Sequence, residues 1–194
     1  MIPQKYQCHL KVFFEKAVAH LLPDCPWNHT IKLKPNAPAS IQGRIYPLTQ
    51  LENKALEKYI KEQKAKGYIC PLKSLYTAPF FIKKKSGDLR LIYNYQELNK
   101  WIIRNYYPLP LISELIYWLW GYNLFMKFNI CNGYFNLKIK PKDIWQGAFL
   151  TNQRLYELIV MPFSMCNALA SFQAITNQNF LWLYWLRMAN YVHE

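Results

Sequence analysis

A chain of 194 residues has room for one domain or part of a larger one, and 52% hydrophobic content is enough for a core, which excludes disorder as the default. With 24 Lys and Arg against 11 Asp and Glu, the net charge is +13, which favours polyanions such as nucleic acid or an acidic membrane surface. The five cysteines, Cys8, Cys25, Cys70, Cys131 and Cys166, contain no CxxC pair and are odd in number, so neither a zinc site nor a closed disulfide framework is expected.

Nothing at the N-terminus has the charged-then-apolar pattern of a secretory signal, so the expectation is an intracellular chain, cytoplasmic or nuclear and not secreted. The apolar run 109–128 is interrupted by Pro110, Glu114, Gly121 and Asn123, and no transmembrane segment is expected. Residues 1–47 are rich in Pro, with a short helix expected near Lys11 to Leu21. His29 is a lone loop histidine, read as structural rather than as a metal ligand. The triplet Asn28-His29-Thr30 fits the glycosylation pattern but carries no weight without a secretory signal.

Thr49-Gln50-Leu51-Glu52 is a capping box and should open a helix that Gly67 ends. Leu51, Ala55, Leu56, Tyr59 and Ile60 form its expected apolar stripe, and Lys54, Lys58, Lys61, Lys64 and Lys66 spread over the rest. The runs 79–85 and 89–95 flank Ser86-Gly87-Asp88 and predict a β-hairpin. Three consecutive lysines, Lys83, Lys84 and Lys85, stand at its tip, where they suit either phosphate contact or protection of a sheet edge. A helix ending near Gly121 is apolar nearly all round, which marks a partner surface or an aggregation liability. From Asn132-Gly133 the chain reads as a turn followed by alternation, with Tyr134, Phe135, Leu137 and Ile139 set against Asn136, Lys138 and Lys140, and predicts a half-buried strand.

Several linked motifs resemble the reverse transcriptase of gypsy-type long-terminal-repeat retrotransposons, a domain of the pol polyprotein. They include Gly43-Arg44-Ile45-Tyr46-Pro47-Leu48, the lysine hairpin, Tyr156 through Phe163, and Asn167-Ala168-Leu169-Ala170-Ser171-Phe172-Gln173. The stretch 127–140 resembles the first active-site strand of the palm, and the closing residues Tyr191-Val192-His193-Glu194 fall on the Tyr-x-Asp-Asp motif. This implies an α+β fold with the fingers and part of the palm of a right-hand polymerase, its palm sheet antiparallel and incomplete. Residues 1–47 would be a lead-in, 48–126 the fingers and 127–194 the partial palm. The thumb, connection and RNase H portions have no counterpart in the matched stretch.

The resemblance implies RNA-directed DNA polymerase activity, a primer–template of RNA or DNA, a deoxynucleoside triphosphate and Mg²⁺. Lys84 and Arg90 would contact the triphosphate, Tyr134 would hold the sugar-gating position, and Phe163 would lie on the nucleotide-pocket side. The three metal-binding aspartate positions hold Asn129, His193 and Glu194. Two hard cations need anionic oxygens, and this set offers one carboxylate, so only Glu194 remains a candidate ligand and an inactive polymerase is the expectation. Other departures include Asn94, Gln96, Ser164 and Leu169, where the resembled pattern has Asp, Arg, Gly and Pro. Each follows from a single C-to-T or G-to-A change, as expected from cytosine deamination of a silenced repeat. The alternatives are a nucleic-acid-binding remnant without catalysis and a relic that does not fold.

Overall fold

The computed structural model of the protein describes residues 21, 23–71, 74–85, 88–108, 111–125 and 130–191. The expected helix near Lys11 to Leu21 lies outside them but for its last residue, and so do Ser86 and Gly87 of the hairpin turn.

Helix α1 (Gln50–Ala65) starts where the capping box predicts: the Thr49 hydroxyl accepts from the Glu52 N–H, and the Glu52 carboxylate accepts from the Thr49 N–H at 2.8 Å. Leu56, Ile60 and Gln63 are its buried residues, and Leu51 departs from the expected stripe, at 74% exposure. Five residues separate Leu51 from Leu56, so at 3.6 residues per turn the two point about 140° apart. Gly67 ends the helix with a positive φ of 73°, conformational space that glycine enters freely.

Strands β1 (Ile69–Pro71), β2 (Ala78–Lys85), β3 (Asp88–Tyr93), β4 (Ala148–Leu150) and β5 (Leu155–Leu158) form one sheet in the order β1-β5-β4-β2-β3. The hairpin of β2 and β3 is present, with Phe80 opposite Tyr93 and Lys85 opposite Asp88. The sheet is mixed rather than antiparallel throughout, because β2 and β4 pair in parallel. Helices α2 (Gln96–Trp101) and α3 (Ile112–Leu119) and a 3₁₀ helix (Pro141–Gly147) lie between those strands in sequence. A crossover of that length is what lets the chain re-enter a sheet in the same direction.

The core follows from this pairing. Phe149 of β4 sits 4.8 Å from the Tyr93 ring, 5.6 Å from Phe80 and 5.7 Å from Tyr156, so the aromatics of four strands meet on one face. The Tyr95 hydroxyl donates to the Gly147 carbonyl at 2.8 Å, tying the chain after β3 to the end of the 3₁₀ helix. In contrast, α3 leaves Ile112, Ile116 and Tyr117 exposed, matching the expectation of an apolar helix without cover among the described residues.

The stretch after Asn132 departs from its predicted strand. Residues 131–136 are turns, closed by the Asn136 N–H on the Asn132 carbonyl at 3.0 Å and the Leu137 N–H on the Tyr134 carbonyl at 3.1 Å. Only 137–140 is extended, bonded on one side to Ile159 and Met161 and on the other to His29. The alternation holds there, since Leu137 and Ile139 are buried and Lys138 and Lys140 are not. Tyr134 and Phe135 break the period because both rings find packing partners on the same aromatic cluster.

Candidate nucleic-acid interface

Tyr134 and Phe163 are 29 positions apart in sequence, and the fold brings their rings to 4.4 Å. Phe172 of α4 (Ala168–Tyr191) also stacks on Tyr134, with centroids 5.0 Å apart and planes within 11°. Ile130, Asn132 and Phe135 complete a concavity of about 460 Å³ around these rings. Gly133 makes the close approach possible: a Cβ there would meet the Phe172 ring at 3.0 Å. Asn132, at a positive φ of 52°, turns the chain so that Tyr134 reaches the cluster. Phe163 remains 63% exposed, leaving an aromatic face open to solvent at the mouth. Such a face offers stacking area to a planar ligand.

The loop carrying Phe163 is held by two asparagines. Asn99 of α2 donates through Nδ2 to the Ser164 carbonyl at 2.9 Å and accepts from the Cys166 N–H at 2.7 Å. Asn167, at φ 68°, accepts from the Asn105 N–H and donates to the Ile103 carbonyl, both at 2.8 Å. The Ser164 hydroxyl donates to the Tyr93 carbonyl at 2.9 Å, so the serine in this loop has a structural bond of its own. Sequence reasoning did not single out Asn99 as a positioning residue. Its only signal is a side chain with both donor and acceptor near a helix, and its partner loop is over sixty residues away.

Hairpin register decides which basic positions face each other. Arg90 stands opposite Lys83, and Lys84 stands opposite Leu89. In the ladder the Arg90 position is thus paired with Lys83 rather than with Lys84.

His29 is buried, as a structural histidine should be. Its Nδ1 lies 2.8 Å from the Ser171 Oγ, and its Nε2 has no hydrogen-bond partner among the described residues. Burial holds the imidazole down from 6.5 to about 4, so it is neutral at physiological pH. An orphaned acceptor is less costly than an orphaned N–H, which favours the tautomer whose Nδ1–H donates to Ser171.

Asn129, His193 and Glu194 lie outside the described residues. Among the described residues, no group of three or more His, Cys, Asp or Glu side chains converges. No described helix is long and apolar enough to cross a membrane.

No protein-family model matches the chain. The transposon Tf2-3 and Tf2-4 polyproteins of Schizosaccharomyces pombe are each 33% identical to it over 135 residues. The chain is related to retrotransposon pol polyproteins. The aligned part is 69% of this chain and 10% of each polyprotein, so the retrotransposon-related chain spans about a tenth of the length of these relatives. Its fold is similar to that of a foamy viral protease-reverse transcriptase solved in complex with an RNA/DNA hybrid, with a TM-score of 0.61 at 17% identity. That likeness covers 92% of this chain and 25% of the viral one.

Proposed function

We propose that the chain is the fingers and first palm part of a gypsy-type reverse transcriptase, retaining a nucleic-acid surface without polymerase chemistry. The observation that carries this reading is the aromatic cleft of Tyr134 and Phe163, assembled at 4.4 Å from the two positions expected at a nucleotide pocket. The lysine hairpin would supply a second surface through Lys83, Lys84 and Lys85 at the end of β2. The likeness in fold to a reverse transcriptase supports the choice of domain, and that enzyme's RNA/DNA hybrid supports the choice of ligand.

Two-metal chemistry does not fit the residues at the matched positions. Asn129 offers a neutral oxygen, His193 a nitrogen suited to softer metals, and Glu194 alone a carboxylate, so no phosphoryl-transfer step is derived for this chain. The remaining role is to bind: cations neutralise phosphates while exposed rings meet bases or sugars.

Mg²⁺-dependent primer extension on an RNA template, paired with binding of an RNA/DNA hybrid by the same folded sample, tests the reading. Hybrid binding that weakens with salt and no incorporation is the expected result. Template-dependent incorporation would show that the metal site still assembles and would overturn the inactive assignment. A folded chain with no affinity for the hybrid would overturn the binding assignment.

A further inference from the structure

A second concavity of about 460 Å³ lies on another flank of α4, separate from the aromatic cleft. Ser171 lines it while the adjacent Phe172 lines the cleft, and neighbouring residues of a helix point about 100° apart. Among the described residues its wall carries three cations, Lys32, Arg104 and Lys140, and no Asp or Glu. Asp24, which accepts from the wall residue Asn28 at 3.0 Å, is also engaged by Lys138 at 3.3 Å. Asp143 is buried, with its Oδ2 accepting the Ile31 N–H at 3.0 Å.

Backbone bonds hold together the segments that carry these cations. The Ile103 N–H donates to the Lys32 carbonyl at 2.8 Å, and Arg104, the next residue, lines the same concavity as Lys32. The Lys140 N–H donates to the His29 carbonyl at 2.8 Å. Three like charges gathered on one wall repel one another unless an anion joins them. The Ser171 hydroxyl is poised to help: if His29 Nδ1–H donates to its oxygen, the serine proton is free to donate into the cavity. Trp27, also on the wall and 44% exposed, supplies a ring face at the rim.

We propose that this concavity binds a single-stranded nucleic-acid segment. A phosphodiester would sit among Lys32, Arg104, Lys140 and the Ser171 hydroxyl, and an unpaired base would stack on Trp27. A single strand fits better than a duplex, because only unpaired bases have a face free for an aromatic side chain. The site is independent of the hairpin and of the aromatic cleft.

The test is fluorescence anisotropy of a labelled twelve-residue oligo(dT) with the full chain over a range of salt. It compares the wild type, the triple variant Lys32→Ala/Arg104→Ala/Lys140→Ala, Trp27→Ala, and Lys83→Ala/Lys84→Ala/Lys85→Ala. The triple pocket variant should bind at least about tenfold more weakly, with a slope of log K against log salt shallower by roughly 2, about 0.7 for each phosphate no longer neutralised. Trp27→Ala should lose about tenfold with its slope unchanged, as expected when stacking goes and charge stays. The hairpin variant should retain most oligo(dT) affinity even if it loses the RNA/DNA hybrid, which separates this site from the proposed hybrid surface. Thermal melts establish that each variant folds, and Arg104→Glu, at a solvent-exposed position, gives a second variant that should weaken binding without disturbing the core. Unchanged affinity and slope in the triple variant and in Arg104→Glu would overturn the proposal. So would a wild-type chain that binds anionic phospholipid vesicles but not oligo(dT).

Discussion

Acidification should destabilise this protein through His29 more than through any exposed histidine. The imidazole is buried, one ring nitrogen bonds Ser171, and the other has no partner among the described residues, so a proton on the ring is poorly solvated. Its folded-state value is depressed from 6.5 to about 4, which means the unfolded chain binds the proton first as pH falls. Stability from this group is therefore intact above about pH 7 and is lost as pH drops from about 6.5 towards 4. Linkage gives a loss of about 1 kcal/mol at pH 6, about 2 kcal/mol at pH 5 and about 3 kcal/mol at pH 4. Glu157, also buried, has its carboxyl pushed up by desolvation and acts in the opposite sense, favouring the fold when protonated. A comparison of variants isolates the histidine term. Urea unfolding at pH 7.5, 6, 5 and 4.5 should show the wild type losing stability steeply, while His29→Gln, which keeps a donor for Ser171 and does not titrate, follows a flatter curve. Parallel curves for the two proteins would refute the argument that a neutral, poorly solvated imidazole underlies the acid sensitivity.

Four further outcomes are expected. Thr49→Ala removes the oxygen that caps α1 and should lower stability by about 1 kcal/mol in denaturant melts. Phe149→Ala, at a fully buried ring surrounded by three others, should cost about 3–5 kcal/mol and abolish any cooperative transition in a marginally stable chain. Gly133→Ala forces a Cβ to within 3.0 Å of the Phe172 ring and should perturb hybrid binding more than Gly121→Ala, measured side by side, because a Cβ at Gly121 meets nothing within 4 Å among the described residues. Finally, an alignment of the coding DNA with intact relatives should show C-to-T and G-to-A changes dominating the differences; an even mix of transitions and transversions would exclude deamination as their origin.

How much of the site was legible in the sequence depends on the range of the interaction. The capping box at Thr49 and the hairpin of β2 and β3 were readable because each is closed within a few residues, by a side chain reaching its own helix or by a turn joining paired strands. The predicted strand after Asn132 failed over residues 131–136. Alternation within one segment could not reveal that Tyr134 would stack on Phe172 or that Phe135 would pack on Tyr68 and Phe163. Leu51 was misplaced for a related reason, since helical spacing names candidates for a stripe but the sheet beneath chooses which of them it covers.

By itself, the sequence determined the basic charge and the local starts and stops of α1 and the hairpin. These are properties of residue type and of near neighbours, and they need no knowledge of the fold. Only the tertiary structure decided that β2 and β4 pair in parallel, that Arg90 faces Lys83, that Tyr134 meets Phe163, and that Lys32, Arg104 and Lys140 share one wall. Each of those joins segments that are distant in sequence or depends on the register of a particular ladder, and such pairings are selected by the burial of the whole core rather than by any local pattern.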